Sequence, residues 1–440
     1  MNIWEEHTDI LDPLLGLLYL ILIMVGARVY QQNKINPIYN FFSIGLFCKI
    51  LGAILFGITY HFYYKGGDTI YYFKGGRVLF DLFTESPILY IKALFTEAGD
   101  HSTEFYSYTS QIPFFKNTEG WLMARLTSGI TILSFGRYYP ATIILSTISF
   151  IGLWKFLLFF NGISNGHNRY LPYFILFAPS VIFWGGGILK DTICIAALGY
   201  LSYYVDLSIR KKQKILQSII ICTLSGYLLI ELKAYIIISF VPCALYWIYL
   251  IHRESIKHPL LKFIMGPVLF LMFIGFGYYL IDFLTKTSTF YNIDSIESRV
   301  RGFQNWHDYL SERDGQSGYS LGEIDYTFTG VLAKFIPATI VGLFRPFLWE
   351  VSKVVQILSA LENFMFLSIT IYVISIKKLK VLSNIHLRFF FLFSILFAFI
   401  VGFTSYNFGA LVRYKIPLLP FYGAFLAISL SQILNKKQLT

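Results

Sequence analysis

Residues 38–64, IYNFFSIGLFCKILGAILFGITYHFYY, set the fold of this chain. Wound as a helix at about 1.5 Å per residue, the run is long enough to cross the roughly 30 Å of a bilayer core. Its apolar face is interrupted only at Lys49 and His61. It is continuous and does not alternate, which excludes a membrane β-barrel strand. Directly behind it stands Gly66-Gly67-Asp68-Thr69-Ile70-Tyr71-Tyr72. A carboxylate is thus expected at the membrane rim, after two glycines that let the backbone leave the helix and before two tyrosines suited to the headgroup level.

The same kind of run recurs along the whole chain. Of 440 residues, 56% are hydrophobic and only 14% charged, with a mean hydropathy of +0.60. That composition predicts an all-α polytopic membrane protein. The formal net charge of +11 comes from basic residues clustered in short segments between apolar runs. This is the positive-inside pattern and no nucleic-acid footprint. The four cysteines, Cys48, Cys194, Cys222 and Cys243, lie inside apolar runs without paired spacing, so they read as small core residues. The acidic start, Met1 to Asp12, has no basic n-region and predicts no cleaved signal peptide.

Charge asymmetry orders the spans. Glu5, Glu6, Asp9 and Asp12 precede the first (Pro13–Tyr30), while Arg28 and Lys34 close it, placing the N-terminus outside. Ile38–His61 then delivers Asp68 to the outer face. Residues 64–138 form a first large outer loop with interfacial helices such as Ile70–Phe83, and with a piece, Trp121–Phe135, apolar enough to dip into the membrane despite Arg125. Pro140–Phe160 goes in, Tyr170–Trp184 goes out across Pro172 and Pro179, and Ile188–Leu207 returns to Arg210-Lys211-Lys212-Gln213-Lys214. Ile215–Ile230 and Tyr235–Ile251 meet outside at Glu231-Leu232-Lys233. Leu260–Ile281 leads to a second outer loop, 283–350, in which Phe328–Phe344 is re-entrant or interfacial. Val351–Ile376, Arg388–Tyr406 and Ile416–Leu434 complete about eleven spans and leave the C-terminus cytoplasmic, all within one transmembrane domain, 1–440.

On this topology Asp68, Arg77, Lys190, Asp191, Glu231, Lys233, Arg345, Glu350, Arg413 and Lys415 all fall at the outer rim. Charges at span ends face a water-filled cavity or one another, or they snorkel singly to headgroups. Asp68 suits a general base, a metal ligand, or the cap of a helix starting at Thr69. Arg345, Arg413, Lys190 and Lys415 suit a lipid phosphate, arginine as a fork and lysine as a point charge. The plainer alternative pairs Arg345 with Glu350, and Lys190 with Asp191 or Glu231. Trp121, Trp184, Trp306 and Trp349 form an aromatic belt or a sugar-stacking surface. The spacing of His61, His101 and His307 matches no metal motif.

Three stretches resemble the membrane-embedded glycosyltransferases of the C superfamily, which take sugars from polyprenyl-phosphate carriers on the outer face. Gly67-Asp68-Thr69-Ile70-Tyr71 is placed like that family's acidic motif in its first large outer loop. Residues 178–191, APSVIFWGGGILKD, are similar to a segment of bacterial members, and residues 412–420, VRYKIPLLP, resemble an arginine-containing turn before a late span. The chain departs from the pattern in carrying an extra first span. It also has no Asp-Glu or Asp-x-Asp pair beside Asp68, which leaves a divalent cation open as the only cofactor in view.

The resemblance implies a bacterial inner-membrane enzyme that moves a sugar or glycan from a polyprenyl-phosphate-linked donor to a glycan, lipid or protein acceptor. Asp68 would be the catalytic base. Arg413, Lys415, Arg345 and Lys190 would hold the lipid phosphate, and Arg77, Asp191, Glu231, Lys233, Glu350 and Tyr71 would line the substrate cavity among membrane lipids. O-antigen and exopolysaccharide polymerases share this hydropathy and chemistry. A lipid-linked glycan transporter would carry its charges near the midplane, where Lys49 is the main example, and a non-catalytic subunit of an envelope or secretion assembly would present a docking face.

Overall fold

The structure is a computed structural model that describes residue 4, residues 8–100, 102–166 and 168–256, positions 258–260, 262, 264–266 and 268, residues 318–322 and 324, and residues 328–437. The expected span Leu260–Ile281 and the loop from Asp282 to Tyr326, with Trp306 and His307, lie largely outside these residues, as does His101. Among the described residues the regular elements are helical, and the one isolated β-bridge joins Gly318 to Asn407.

Among the described residues seven helices are long and apolar enough to cross a membrane. They are Leu11–Gln32, Pro37–Tyr63, Tyr138–Ile163, Lys190–Ile209, Ile215–Ser255, Val354–Ile376 and Ile385–Thr404. An eighth is added if Phe408–Tyr414 and Leu419–Leu434, bent by 69°, are one broken span. The chain is a multi-pass membrane protein. The contacts distinguish two compact units. The first comprises Met1–Phe159, Ile175–Val205 and Lys214–Ala234, the second Phe160–Phe174, Asp206–Gln213 and Tyr235–Thr440.

The first unit begins with α1 (Leu11–Gln32), which exposes Leu14, Leu18, Leu22 and Val25 and buries little beyond Asp12, Gly16 and Ala27. An apolar helix with most of its surface uncovered is a helix that faces hydrocarbon. Asp12, a topology marker in the sequence, is wholly buried, and its carboxylate accepts the backbone N–H groups of Tyr138 and Tyr139 at 3.3 and 2.8 Å. These are orphan donors at the N-terminus of α7 (Tyr138–Ile163), where the helix dipole also favours an anion. Nearby, Arg137 hydrogen bonds Asp9 and holds that carboxyl below its usual range.

After α2 (Phe42–Ile58) and a π-turn at Thr59–Tyr63, the expected outer loop folds as α3 (Asp68–Glu85), α4 (Pro87–Leu94), α5 (Tyr106–Thr109) and α6 (Thr118–Leu133). These helices have a core of their own, built from Leu79, Leu82, Tyr90, Phe105, Phe115 and Trp121. The Trp121–Phe135 stretch is therefore, up to Leu133, part of a helix packed along α3. Trp121 is not a belt residue: it is 1% exposed and donates its indole N–H to Thr96 O at 2.9 Å. Trp184 is also buried, and of the described tryptophans assigned to the belt only Trp349 stands exposed.

The expected span Tyr170–Trp184 is two six-residue helices, α8 (Leu171–Leu176) and α9 (Pro179–Trp184), because Pro179 holds Ala178 extended at ψ 115°. Beyond the three glycines, α10 (Lys190–Ile209) crosses α7 at a close approach. A Cβ on Gly152 would lie 2.4 Å from Ala196 Cα, and one on Gly199 would lie 2.1 Å from Gly152 O. The spans expected to meet at Glu231–Lys233 run on as α11 (Ile215–His252), interrupted where Lys233 leaves helical geometry at φ −155°, ψ 76°.

The second unit contains α12 (Phe328–Ala333), α13 (Phe335–Phe344), α14 (Val354–Lys377), α15 (Ile385–Thr404), α16 (Phe408–Tyr414) and α17 (Leu419–Lys437). Phe421 of α17 is ringed by Phe389, Phe390 and Phe393 of α15, with centroids 4.5–6.0 Å apart. Such pairs add to burial through edge-to-face and offset contact. Helices α13 and α15 touch backbone to backbone, the small-residue crossing typical of membrane helices. Replacing Gly402 by Leu, whose Cβ would meet Ala338 O at 2.0 Å, should destabilise the purified protein by at least about 1–3 kcal/mol. Gly26→Ala, with open space around it, should leave the melting temperature unchanged, and equal melting of both variants would refute this packing.

Candidate functional site

In the first unit the chain leaves the π-turn through Gly67, whose φ of +109° is one that L side chains rarely adopt and whose absent Cβ would fall 2.7 Å from the Tyr60 ring. Helix α3 then starts at Asp68 itself, one residue before the expected start. Asp68 is half-buried in the first turn, where the helix dipole stabilises a carboxylate. Its neighbour Thr69 is fully buried and hydrogen bonds the Tyr138 hydroxyl at 2.8 Å, which fixes the turn. One turn along the same face, the Tyr72 ring lies 5.9 Å from Lys190 Nζ. Tyr71 points elsewhere, partly exposed and edge-on to Phe114 at 5.9 Å.

Lys190 and Asp191 open α10, but they do not pair with each other. Lys190 forms an ion pair with Glu119 of α6, and Asp191 forms one with Lys233 at the break in α11. Successive residues at a helix start point to different sides, so each reaches a different element. Thr192 locks the turn by donating its hydroxyl to Gly187 O at 2.6 Å. Glu231 lies within electrostatic reach of Arg125 and Glu119, and Arg125 donates to Leu94 O at 3.1 Å while stacking over Trp121 at 5.4 Å. The cluster thus holds Lys190, Lys233 and Arg125 against Glu119, Asp191 and Glu231, a balanced set. Arg77 is not part of it, since it donates to Asp81 at 3.0 Å and to Gly136 O at 2.7 Å and so braces the turn before α7.

In the second unit Arg345 and Glu350 form the pair of the plainer alternative, a two-pronged contact closed on one side by Phe347 N at 2.8 Å. The guanidinium stacks on Tyr319 and Phe408 at 5.3 and 5.1 Å. Burial holds the Tyr319 phenol above its ordinary range, and the hydroxyl donates to Gly402 O at 2.8 Å. Lys415 is fully buried, donating to Asn363 Oδ1 at 2.6 Å and to Arg345 O at 3.1 Å. Asn363 in turn donates to Pro346 O at 3.1 Å. Lys415 therefore holds the Arg345–Pro346 backbone in place and offers no open ammonium. Arg413 sits in the last turn of the short helix α16, partly exposed, with its guanidinium 6.0 Å from the Tyr414 ring.

Glu119 and Asn363 are absent from the sequence-derived site, and Arg125 figures in the sequence only as a charge interrupting an apolar stretch. Asn117 is the signal for Glu119: it is a helix N-cap, accepting from Glu119 N and Gly120 N at 2.9 and 3.2 Å, which places an acid in the first turn of α6. Asn363, a buried amide in the apolar span Val354–Ile376, could have been flagged on cost alone. Lys49 is also accounted for locally, since its buried ammonium donates to Val181 O at 2.8 Å at the end of α9. Among the described residues no group of three or more His, Cys, Asp or Glu side chains is placed to hold a metal ion.

Compared with known proteins, the chain matches no family model, no curated protein and no solved structure. The buried pair makes its own prediction. Lys233→Met and Asp191→Asn should each cost about 3–5 kcal/mol by removing the countercharge of the other, whereas the two substitutions together should cost less than their sum. Additive losses in chemical unfolding would show that the pair is not coupled.

Proposed function

We propose that the protein is a glycosyltransferase of a bacterial inner membrane that moves a sugar or glycan from a polyprenyl-phosphate carrier to an acceptor at the outer face, with Asp68 as general base. The observation that carries this reading is the placement of Asp68, a half-buried carboxylate on a glycine-released helix start, with Tyr72 on its face leading to Lys190. Its likeness to the C superfamily in three stretches adds the substrate class. The orientation follows the charges, with the N-terminus outside and the C-terminus cytoplasmic. Eleven crossings follow if the bent pair counts as one, α8 with α9 as another, α11 as two, and Leu260–Ile281 as one more.

In this reaction the acceptor hydroxyl gives its proton to a carboxylate oxygen of Asp68, and the acceptor oxygen forms a bond to the anomeric carbon from the face opposite the carrier. The bond from that carbon to the phosphate oxygen breaks, and the electron pair leaves with the carrier phosphate. General-base help of this type is worth roughly 10²–10⁴ in rate. The phosphate needs cations as its charge develops. Lys190 belongs to the same unit as Asp68, and it would exchange Glu119 for phosphate. The resemblance adds Arg413 and Arg345, with Lys415 holding the Arg345 backbone.

In cells lacking the protein, surface glycan should be lost and a carrier-linked donor should accumulate. Asp68→Asn at matched membrane levels should fail like the deletion, with transfer reduced at least about 100-fold. Lys190→Met should weaken transfer less, mainly through donor binding. Full transfer by Asp68→Asn would sink the assignment, and unchanged glycans in the deletion strain would remove the enzyme reading altogether.

A further inference from the structure

The second unit contains a second polar site, at the start of α15. A cavity of about 280 Å³ opens there, and seven of its ten lining side chains are amide, hydroxyl or imidazole. Its walls come from the turn after α7, the first residues of α15 and the later half of α17. Tyr319 and Arg345 meet the opposite end of α15 at Gly402, roughly 25 Å away along a helix rising about 1.5 Å per residue. The cavity is therefore separate from that cluster.

Asn168, which is buried, and His386, which is partly buried, both line this space. Asn168 is 4% exposed, and its side-chain oxygen accepts Tyr170 N at 2.9 Å while its Nδ2 has no acceptor. A buried amide is normally satisfied, and this donor has almost no accessible surface, so a ligand would reach it through a shift of the Asn168 side chain. His386 accepts the indole N–H of Trp247 on Nδ1 at 2.9 Å. An indole can only donate, so the imidazole proton sits on Nε2 and gives the cavity a second donor. Asn384 spends its oxygen on His386 N and Leu387 N at 2.9 and 3.3 Å, leaving its NH₂ as a third.

Ser164, Ser431 and Gln432 supply groups that both donate and accept. Among the described residues no lysine, arginine or carboxylate lines the cavity. Arg210 and Lys211, which approach α7 at Gly162, are both turned to Asp206. A free anion would find no countercharge inside, and a cation no carboxylate. Neutral donors and acceptors in alternation match vicinal hydroxyls.

We propose that this cavity binds a neutral polyhydroxylated group, a sugar or polyol, either free or as a lipid headgroup. The assignment does not depend on the transferase reaction. Trp247 provides the readout, because it is 1% exposed, stacks on Phe389 at 5.0 Å and is bonded to the ring that would contact the ligand.

The full chain in phosphatidylcholine nanodiscs would be titrated with glucose and N-acetylglucosamine, and separately reconstituted with increasing glucosyl diacylglycerol. A saturable fluorescence change is expected, absent in Trp247→Phe. Asn168→Leu should weaken it about tenfold and Ser431→Ala a few-fold, at unchanged melting temperature for the second variant. A response to free sugar assigns a soluble ligand, and one to the glycolipid alone assigns a headgroup. Saturation by inorganic phosphate with none by the sugars, or no response to any probe, overturns the proposal.

Discussion

The Asp191–Lys233 ion pair joins two backbone irregularities, the glycine-led start of α10 and the non-helical residue inside α11. Both partners are nearly solvent-free, and neither charge is tolerable alone in such surroundings. A continuous helix through Lys233 would carry that side chain in a fixed direction. The break at φ −155° costs a helical bond and redirects the ammonium. With Asp191 held, Lys190 is left at the adjacent position to reach Glu119, and the cluster around α3 follows from that.

The same economy of charge governs the second unit. Arg345 meets Glu350, two aromatic faces and a backbone held by Lys415 and Asn363, so it is oriented before any ligand arrives. Pre-oriented forks lose little side-chain entropy on binding. They also bind nothing without an exchange of partners. On the proposed reaction, Lys190 or Arg345 would give up a carboxylate for a phosphate, which leaves each cation neutralised at rest and makes each anion site conditional on a competing anion.

Polar side chains deep in the apolar helices follow a related rule. Asp12 meets the first N–H groups of α7, and Lys49 meets a carbonyl at the end of α9. Each sits at a helix end where the dipole favours its sign, an anion at the start and a cation at the finish. These residues stabilise broken and abutting helices that hydrocarbon alone would not tolerate.

Sequence alone determined that the chain crosses a membrane several times, because uninterrupted apolar length is a one-dimensional property. It also determined the release of α3 at Gly67, since only glycine takes that φ without strain, and it offered the Arg345–Glu350 pair, whose partners are five residues apart, as the alternative to a phosphate contact. Tertiary structure decided the rest. Lys190 was legible as a rim cation, but its partner Glu119 is 71 residues away, and no local pattern encodes such a distance. Arg77 and Lys415 carried the same charge signal as Arg413, yet packing turned the first to a carbonyl of a tight turn and the second to a buried amide. Trp121 likewise had the composition of a belt residue and became core once α3 and α6 closed on it. A charge or an aromatic ring announces what it can do, whereas its burial and its neighbours, which long-range contacts set, decide what it does.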